Sequence, residues 1–233
     1  MYYPLLKKLA RQIAISDIHG CVNTFQKLVL DKVKLSKKDI LYLLGDYINK
    51  GPDSKGVMDF IFSLREAGYQ VNCLRGNHEQ YLIDALHYSW EEIAFFNRGG
   101  FETLDSFDAK TVNDIPAKYL DFLKSLSYFI ELEKYLLIHA GLNFDLDDPF
   151  KDDFSMLNIR RMEIDPGSIG NRIIIHGHVP TPYQAIEASL HHENDHFCID
   201  AGCVYQHIQG LKHLVALEID TRKLYIQENI DCT

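Results

Sequence analysis

Asp17, His19, Asp46, Asn77, His139 and His178 carry oxygen and nitrogen donors of the kind that hold divalent cations, with no thiolate among them. Five apolar, β-prone runs stop at these residues: QIAIS before Asp17 and His19, ILYLL before Asp46, VNCLR before Asn77, YLLI before His139 and RIII before His178. At one strand end, Asp or Asn is ordinary turn chemistry. Repetition over separated segments is not, because open α/β sheets bind ligands in the crevice outside the carboxyl ends of their strands. The pattern predicts that these side chains converge. Asp17 and His19 are one residue apart, so an extended backbone directs both to the same side. A carboxylate such as Asp46 can bridge two cations about 3.5 to 4 Å apart, with Asn77, His139 and His178 completing the second.

The elements that must position these donors alternate strand and helix through the first hundred residues, the βαβ rhythm of a parallel sheet. VNTFQKLVL follows the first strand as a helix. DSKGVMDFIFSLREAG follows the second, with Asp or Ser as N-cap and Gly68 as its stop. QVNCLR is the next strand, and His78 to Tyr88 has apolar residues at helical spacing. From Ser89 to Ser127 the pattern is mostly helical, broken at Gly99 and Gly100 and reopened at Pro116. Beyond Tyr128 strands dominate: SYFIEL, KYLLIH, RIIIH, HFCID and a hairpin of HLVALEID, TR and KLYIQE. A parallel half followed by a more antiparallel half predicts a two-sheet α/β sandwich.

With 233 residues, the chain is long enough for one domain burying roughly 70 to 75 % of its unfolded surface. No Pro/Ser/Gly-rich linker or repeat divides it, so a single domain over residues 1–233 is expected. The net charge of −9 argues against a nucleic-acid surface, which leaves a basic stripe. No run reaches the length of a membrane span, and MYYPLLKKLARQIAIS enters the first strand without a cleavable leader pattern. Five cysteines with no CxxC pair indicate neither a disulfide framework nor a zinc ribbon, and a reducing cytoplasm is expected. The acidic stretch from Asp145 to Asp153 reads as a solvated loop and lacks EF-hand spacing.

In the segments SDIHG, GDYINKGPDS, CLRGNHE, IHAGL and HGHVP, which run from Ser16 to Pro180, the chain resembles the calcineurin-like metallophosphoesterases. The likeness is strongest to their serine/threonine protein phosphatase branch and its bacterial relatives. The later IDAGCVY, Ile199 to Tyr205, is similar to a strand and turn of bacterial members. The resemblance implies an α/β fold, an αββα sandwich of two mixed sheets with a helical insertion at about residues 80–126. It implies two divalent ions, manganese first with iron or zinc as the alternatives, one on Asp17, His19 and Asp46, the other on Asp46, Asn77, His139 and His178. Such cations polarise phosphoryl oxygens and lower the pKa of water, so no covalent protein nucleophile is needed. None is evident: the position six after Cys21, Cys73, Cys198 or Cys203 is Lys27, Glu79, Val204 or Gln209, not the Arg of a cysteine phosphatase.

By the same resemblance His78 is the general acid, and Lys50 and Arg160 hold phosphate, with Arg161 competing for the latter place. Arg75 and Arg98 read as structural or peripheral. The implied activity is hydrolysis of phosphate monoesters, as in a serine/threonine protein phosphatase, with a phosphorylated protein or a small phosphate ester or anhydride as substrate. Two departures bear on it. The protein phosphatases read GDYxDRG, whereas this chain reads GDYINKG. Asn49 can accept a hydrogen bond from His78 but supplies no charge, so the imidazole is less readily protonated; Lys50 keeps the positive charge but loses the bidentate fork. Alkyl esters suffer more from this than aryl esters or anhydrides. Symmetric bis(nucleosyl) tetraphosphatases share the metal frame and also lack that Asp, which makes dinucleoside polyphosphate hydrolysis the alternative. A phosphopeptide-binding pseudo-phosphatase is a third reading, opposed by retention of His78 and all six donors.

Four remaining features have plain structural readings. Pro180 stands where some relatives carry a second His, so the first ion should have fewer protein ligands. His176 is expected to end its strand, and HHENDH to be a polar turn. Trp90, Phe95, Phe96 and Phe101 read as core or cap packing, with a substrate-selecting lid as the alternative.

Overall fold

The computed structural model describes residues 10–231; the basic stretch ahead of Ala10, and Cys232, lie outside the described residues. Strands β1 (Gln12–Ile15), β2 (Ile40–Leu43) and β3 (Gln70–Cys73) pair in parallel, in the order 3-2-1. Their connections are helix α1 (Val22–Lys27), which continues as a wider turn through Val33, and α2 (Ser54–Glu66). The Asp53 carboxylate caps α2 by accepting from the Gly56 N–H at 2.7 Å. Gly68, at φ +86°, lets the chain turn back into β3.

Four helices follow β3: α3 (Asn77–His87), α4 (Glu92–Phe96), α5 (Gly100–Ser106) and α6 (Ala117–Lys124). The break expected at the Gly pair is real, with Gly99 left-handed at φ +86°. The aromatic group divides. Phe95 is fully buried, but Trp90 is 66 % exposed and stacks on Tyr88, while Phe101 is 61 % exposed and stacks on Phe96. Short helices on the rim of a domain cannot bury every large side chain, so Phe95 packs in the core while Trp90 and Phe101 pack only against neighbouring rings at the surface.

The second sheet has the order β4 (Phe129–Glu131), β5 (Tyr135–Ile138), β6 (Ile173–His176), β7 (His196–Cys198). The second half is more antiparallel than the first, as expected, through the pair β4 with β5 and a later hairpin, but it is not wholly so. β5, β6 and β7 are parallel, because helices α7 (Asp153–Asn158) and α8 (Tyr183–Ser189), neither read in the sequence, supply the crossovers. The hairpin of β8 (His213–Glu218) and β9 (Lys223–Glu228) returns to the first sheet, where β8 lies antiparallel to β1. Both sheets are therefore mixed. The acidic stretch is a solvated loop only through Asp147; Asp148 and Asp152 accept from the N–H groups of Phe150 and Ser155 and so start the short helical turns that follow.

Side-chain alternation builds the layers. Ala14, Tyr42, Leu137, Ile175, Val215 and Leu217 meet between the sheets. Ile13, Ile15, Leu41 and Leu43 face the helices of the first half, and Leu136, Ile138 and Ile174 face Met156 and Ile169 on the other side. The result is an αββα sandwich, and its parallel strands deliver their carboxyl ends to one edge.

The opposite, amino-terminal edge is pinned by Arg11, whose guanidinium grips both Asp39 oxygens at 2.7 and 3.1 Å and ties the start of β1 to that of β2. Burial alone would raise the Asp39 carboxyl, but Arg11 and the N–H and hydroxyl of Ser36 hold it down to about 2. A carboxyl lower in the folded than in the unfolded chain contributes stability above its ordinary pKa and loses it as pH falls through the folded value. Asp39→Asn should therefore cost about 2 kcal/mol at neutral pH. Urea midpoints of wild type and variant should converge between about pH 4 and pH 2; a gap independent of pH would refute the assignment.

Candidate active site

Asp17 and His19 follow β1, Asp46 follows β2, Asn77 opens α3 after β3, His139 follows β5 and His178 follows β6. All six are more than nine-tenths buried, with His139 fully enclosed. Asp17, His19, Asp46, Asn77 and His178 line one cleft of about 360 Å³, with His78 beside them. Both sheets contribute, so the site sits across the sandwich edge. Left-handed backbone is concentrated here: Asp17 (φ 50°), His19 (47°), Asp46 (54°), Asn49 (70°), Lys50 (67°) and His178 (67°). Non-glycine residues rarely adopt this region, and each costs of order 1 kcal/mol or more.

Main-chain bonds hold those turns. The N–H groups of His19 and Gly20 donate to the carbonyls of Asp46 and Tyr47 at 2.9 and 2.8 Å, lacing the β1 loop to the β2 loop. Glu79, fully buried, accepts the N–H groups of Asp46, Tyr47 and Gly76 at 2.8 Å each, fixing the β2 loop to the start of α3. A Cβ on Gly177 would overlap the Ser16 hydroxyl and the Asp17 carboxylate, so only glycine lets the β6 end approach the β1 end this closely.

The imidazole tautomers follow from their main-chain partners. His19 donates from Nδ1 to the Ile48 carbonyl at 3.0 Å, and His139 from Nδ1 to the Leu44 carbonyl at 2.8 Å, since a carbonyl can only accept. Each then presents an Nε2 lone pair to the site. His19 Nε2 is 3.5 Å from Asp46 Oδ2, and His139 Nε2 is 3.5 Å from Asp46 Oδ1 and 3.0 Å from Asn77 Oδ1. His178 Nδ1 reaches the same Asn77 oxygen at 3.1 Å, and its buried Nε2 has no hydrogen-bond partner.

Lone pairs thus face lone pairs. Burial, then Asp17 and Glu79, push the Asp46 carboxyl well above the usual range; burial and then Lys50 push the His19 imidazole well down. A donor set of carboxylate, amide oxygen and imidazoles, crowded with few protons among them, fits divalent cations. Two groups with donor atoms within 4.8 Å of one another share Asp46: His19, Asp46 and His78, and Asp46, His139 and His178. The sequence reading placed Asp17, not His78, in the first group. The Asp17 carboxylate accepts from the Ser16 hydroxyl and the His178 N–H and lines the same cleft beside these groups.

Around this centre the cationic side chains are Lys50, Arg98 and Arg160. Arg160 lines the cleft, whereas Arg161 borders a different cavity. Arg98 is not peripheral, since its guanidinium lies 4.3 Å over the Tyr81 ring on the cleft wall. Arg75 is structural, donating to Gln80, Tyr128 and the Lys124 carbonyl. Lys50 Nζ is 3.0 Å from His19 Nε2 and 3.3 Å from the Tyr205 hydroxyl. Tyr81, Asp200 and Tyr205 were missed as site residues. IDAGCVY contained two of them, but nothing in that segment marks a side chain as facing the cleft.

At His78 the hydrogen bond runs opposite to expectation. Thr103 Oγ1 accepts from the Asn49 N–H at 2.9 Å and donates to Asn49 Oδ1 at 2.7 Å. The amide oxygen is thereby taken, leaving Asn49 Nδ2 to donate to His78 Nδ1 at 3.1 Å. The His78 proton then sits on Nε2, which points toward Asp46 Oδ2 at 3.9 Å. Burial, then His19 and Lys50, push this imidazole well below its ordinary pKa.

Comparison with known proteins agrees with this geometry. The chain is 31 % identical over 132 residues, 55 % of its length, to a symmetrical bis(5'-nucleosyl)-tetraphosphatase of Buchnera aphidicola subsp. Acyrthosiphon pisum (strain Tuc7). The match spans only 43 % of that relative. A solved structure described as a suggested diadenosine tetraphosphatase superposes with a TM-score of 0.58 at 21 % identity, covering 97 % of this chain and 96 % of that one. A protein serine/threonine phosphatase from Saccharomyces cerevisiae superposes at 0.64 with 15 % identity, covering 95 % and 80 %. Both superpositions speak to the fold alone. Because residues 10–215 match the calcineurin-like phosphoesterase family and carry its sandwich with a polar, cation-fitting strand edge, the chain belongs to that family.

Proposed function

We propose that the protein hydrolyses a phosphoanhydride bond of a dinucleoside polyphosphate, using two divalent cations, manganese first, held by Asp17, His19, Asp46, Asn77, His139 and His178. The observation that carries this reading is the polarity of the Asn49 to His78 hydrogen bond. A carboxylate at position 49 would hold a proton on Nδ1 and stabilise an imidazolium able to protonate a departing alkoxide. The amide N–H at that position opposes protonation of Nδ1, so His78 serves as a neutral Nε2–H donor to a phosphoryl oxygen. A phosphate leaving group departs without protonation far more readily than an alkoxide, which suits an anhydride. The names of the curated relatives support the same substrate class.

When bound, the cations polarise the phosphoryl oxygens and lower the pKa of the attacking water. Lys50, Arg98 and Arg160 then neutralise the remaining phosphate charge along the cleft. Lys50 is set for this by Tyr205, and Arg98 by the Tyr81 ring. The second reading is hydrolysis of phosphate monoesters, including phosphoproteins. The same cleft supports it, but it requires the acid that Asn49 weakens.

Metal content and turnover test the proposal. Asp46→Asn should lose manganese in equilibrium dialysis and lower kcat by about 10³ or more; full manganese retention would remove Asp46 as the shared ligand. With manganese, diadenosine tetraphosphate should be cleaved at a higher kcat/KM than phosphoserine peptide or p-nitrophenyl phosphate. A dominant phosphoserine rate would promote the monoester reading. Asn49→Asp should raise phosphoserine turnover by roughly tenfold or more while changing anhydride turnover little, since general acids contribute about 10² to 10⁴ where a proton is needed. Equal responses of the two substrates would sink the leaving-group argument.

A further inference from the structure

A second cavity, of about 430 Å³, adjoins the cleft and shares Asn77, Tyr81 and Asn158 with it. Its size falls in the range of small-molecule sites, roughly 300 to 1,000 Å³. The two spaces differ sharply in charge. Lys50, Arg98 and Arg160 line the first beside the carboxylates of Asp17, Asp46 and Asp200, the first two of which are assigned to the cations, whereas among the described residues the second has no cationic residue on its wall and carries Asp84, Glu91 and Asp153. Aromatic rings line the second as well. Tyr81 lies at the junction, Tyr128 is set in place by the Arg75 guanidinium at 3.1 Å, and Phe154 is 74 % exposed at the head of α7. An aromatic so open to solvent contributes little to the core and is free to stack on a planar guest.

We infer that this cavity is a nucleobase subsite, which takes the base of a nucleotide whose phosphates lie in the adjoining cleft. The inference rests on the anhydride reading and extends it to the nucleoside end of the substrate. An acidic wall repels phosphate, so a phosphate chain is confined to the cationic cleft, and the neighbouring cavity receives the uncharged end of the molecule. The carboxylates accept N–H bonds from an exocyclic amine, and the Asn158 side-chain amide can pair with a donor and acceptor edge, the combination that adenine presents. Base stacking on Tyr81, Tyr128 and Phe154 supplies affinity with little sequence preference. Asn158 stands on the shared wall, its oxygen accepting from the Tyr81 hydroxyl at 3.3 Å and its Nδ2 donating to the Phe154 carbonyl at 3.0 Å, which leaves one lone pair and one N–H for a guest.

Calorimetric titration of the manganese-loaded full chain with α,β-methylene-ADP, and with methylene diphosphonate as the base-free probe, tests this without turnover. The nucleotide should bind about tenfold or more tightly than the diphosphonate. That preference should fall several-fold in Phe154→Ala, whose side chain is too exposed for truncation to threaten folding, and in Asp84→Asn. Equal affinity for the two probes in the wild type would overturn the inference, as would a preference that survives both substitutions. So would a preference for an arginine-flanked phosphoserine peptide that both substitutions abolish while the nucleotide preference is untouched. The result separates from the functional reading: nucleotide preference without diadenosine tetraphosphate cleavage keeps the subsite and rejects the activity, and cleavage without preference does the reverse.

Discussion

The structure depends on holding acceptors together that would otherwise repel. Asp46, the Asn77 oxygen and the Nε2 atoms of His19 and His139 crowd within 3.5 Å of one another in pairs, with few protons among them. Side-chain packing alone does not achieve this. The work is done by the fold's main chain, whose Ile48 and Leu44 carbonyls fix the imidazole tautomers, and by Glu79, whose carboxylate ties the β2 loop to α3. Preorganisation of this kind is borne by the whole sandwich, since the core between the sheets keeps the β1 and β6 ends in contact.

Strand ends were the most legible part of this chain. Alternation and β-branched runs located every strand, because a residue period of two is a local property. The donors were legible for the same reason: each stands one to a few positions after a strand that any sheet of this kind would end at one edge. Sheet membership was less legible. Whether HLVALEID joins the first or second sheet depends on pairing with β1, a contact across two hundred residues that no local pattern encodes. α7 and α8 were missed because each is under two turns long and carries too few apolar positions to show a period.

Around the metal-fitting residues, legibility fell with distance from a motif. Lys50 and Arg160 were singled out and line the cleft, yet Arg98 was read as structural or peripheral because its place depends on a ring two helices away. At Asn49 the residue was identified and its hydrogen bond was given the wrong direction. Thr103 on α5 decides that direction, and it lies fifty-four positions away with nothing beside it to suggest a role.

Six side chains around the cleft carry backbone conformations that L-residues resist. Their combined strain is a reserve of thermal robustness left unused. Replacing any of them with glycine would relax the chain locally and remove the group that the conformation exists to aim. An engineer seeking heat tolerance in this protein should look to the helix surfaces and leave the rim of the cleft uncomfortable.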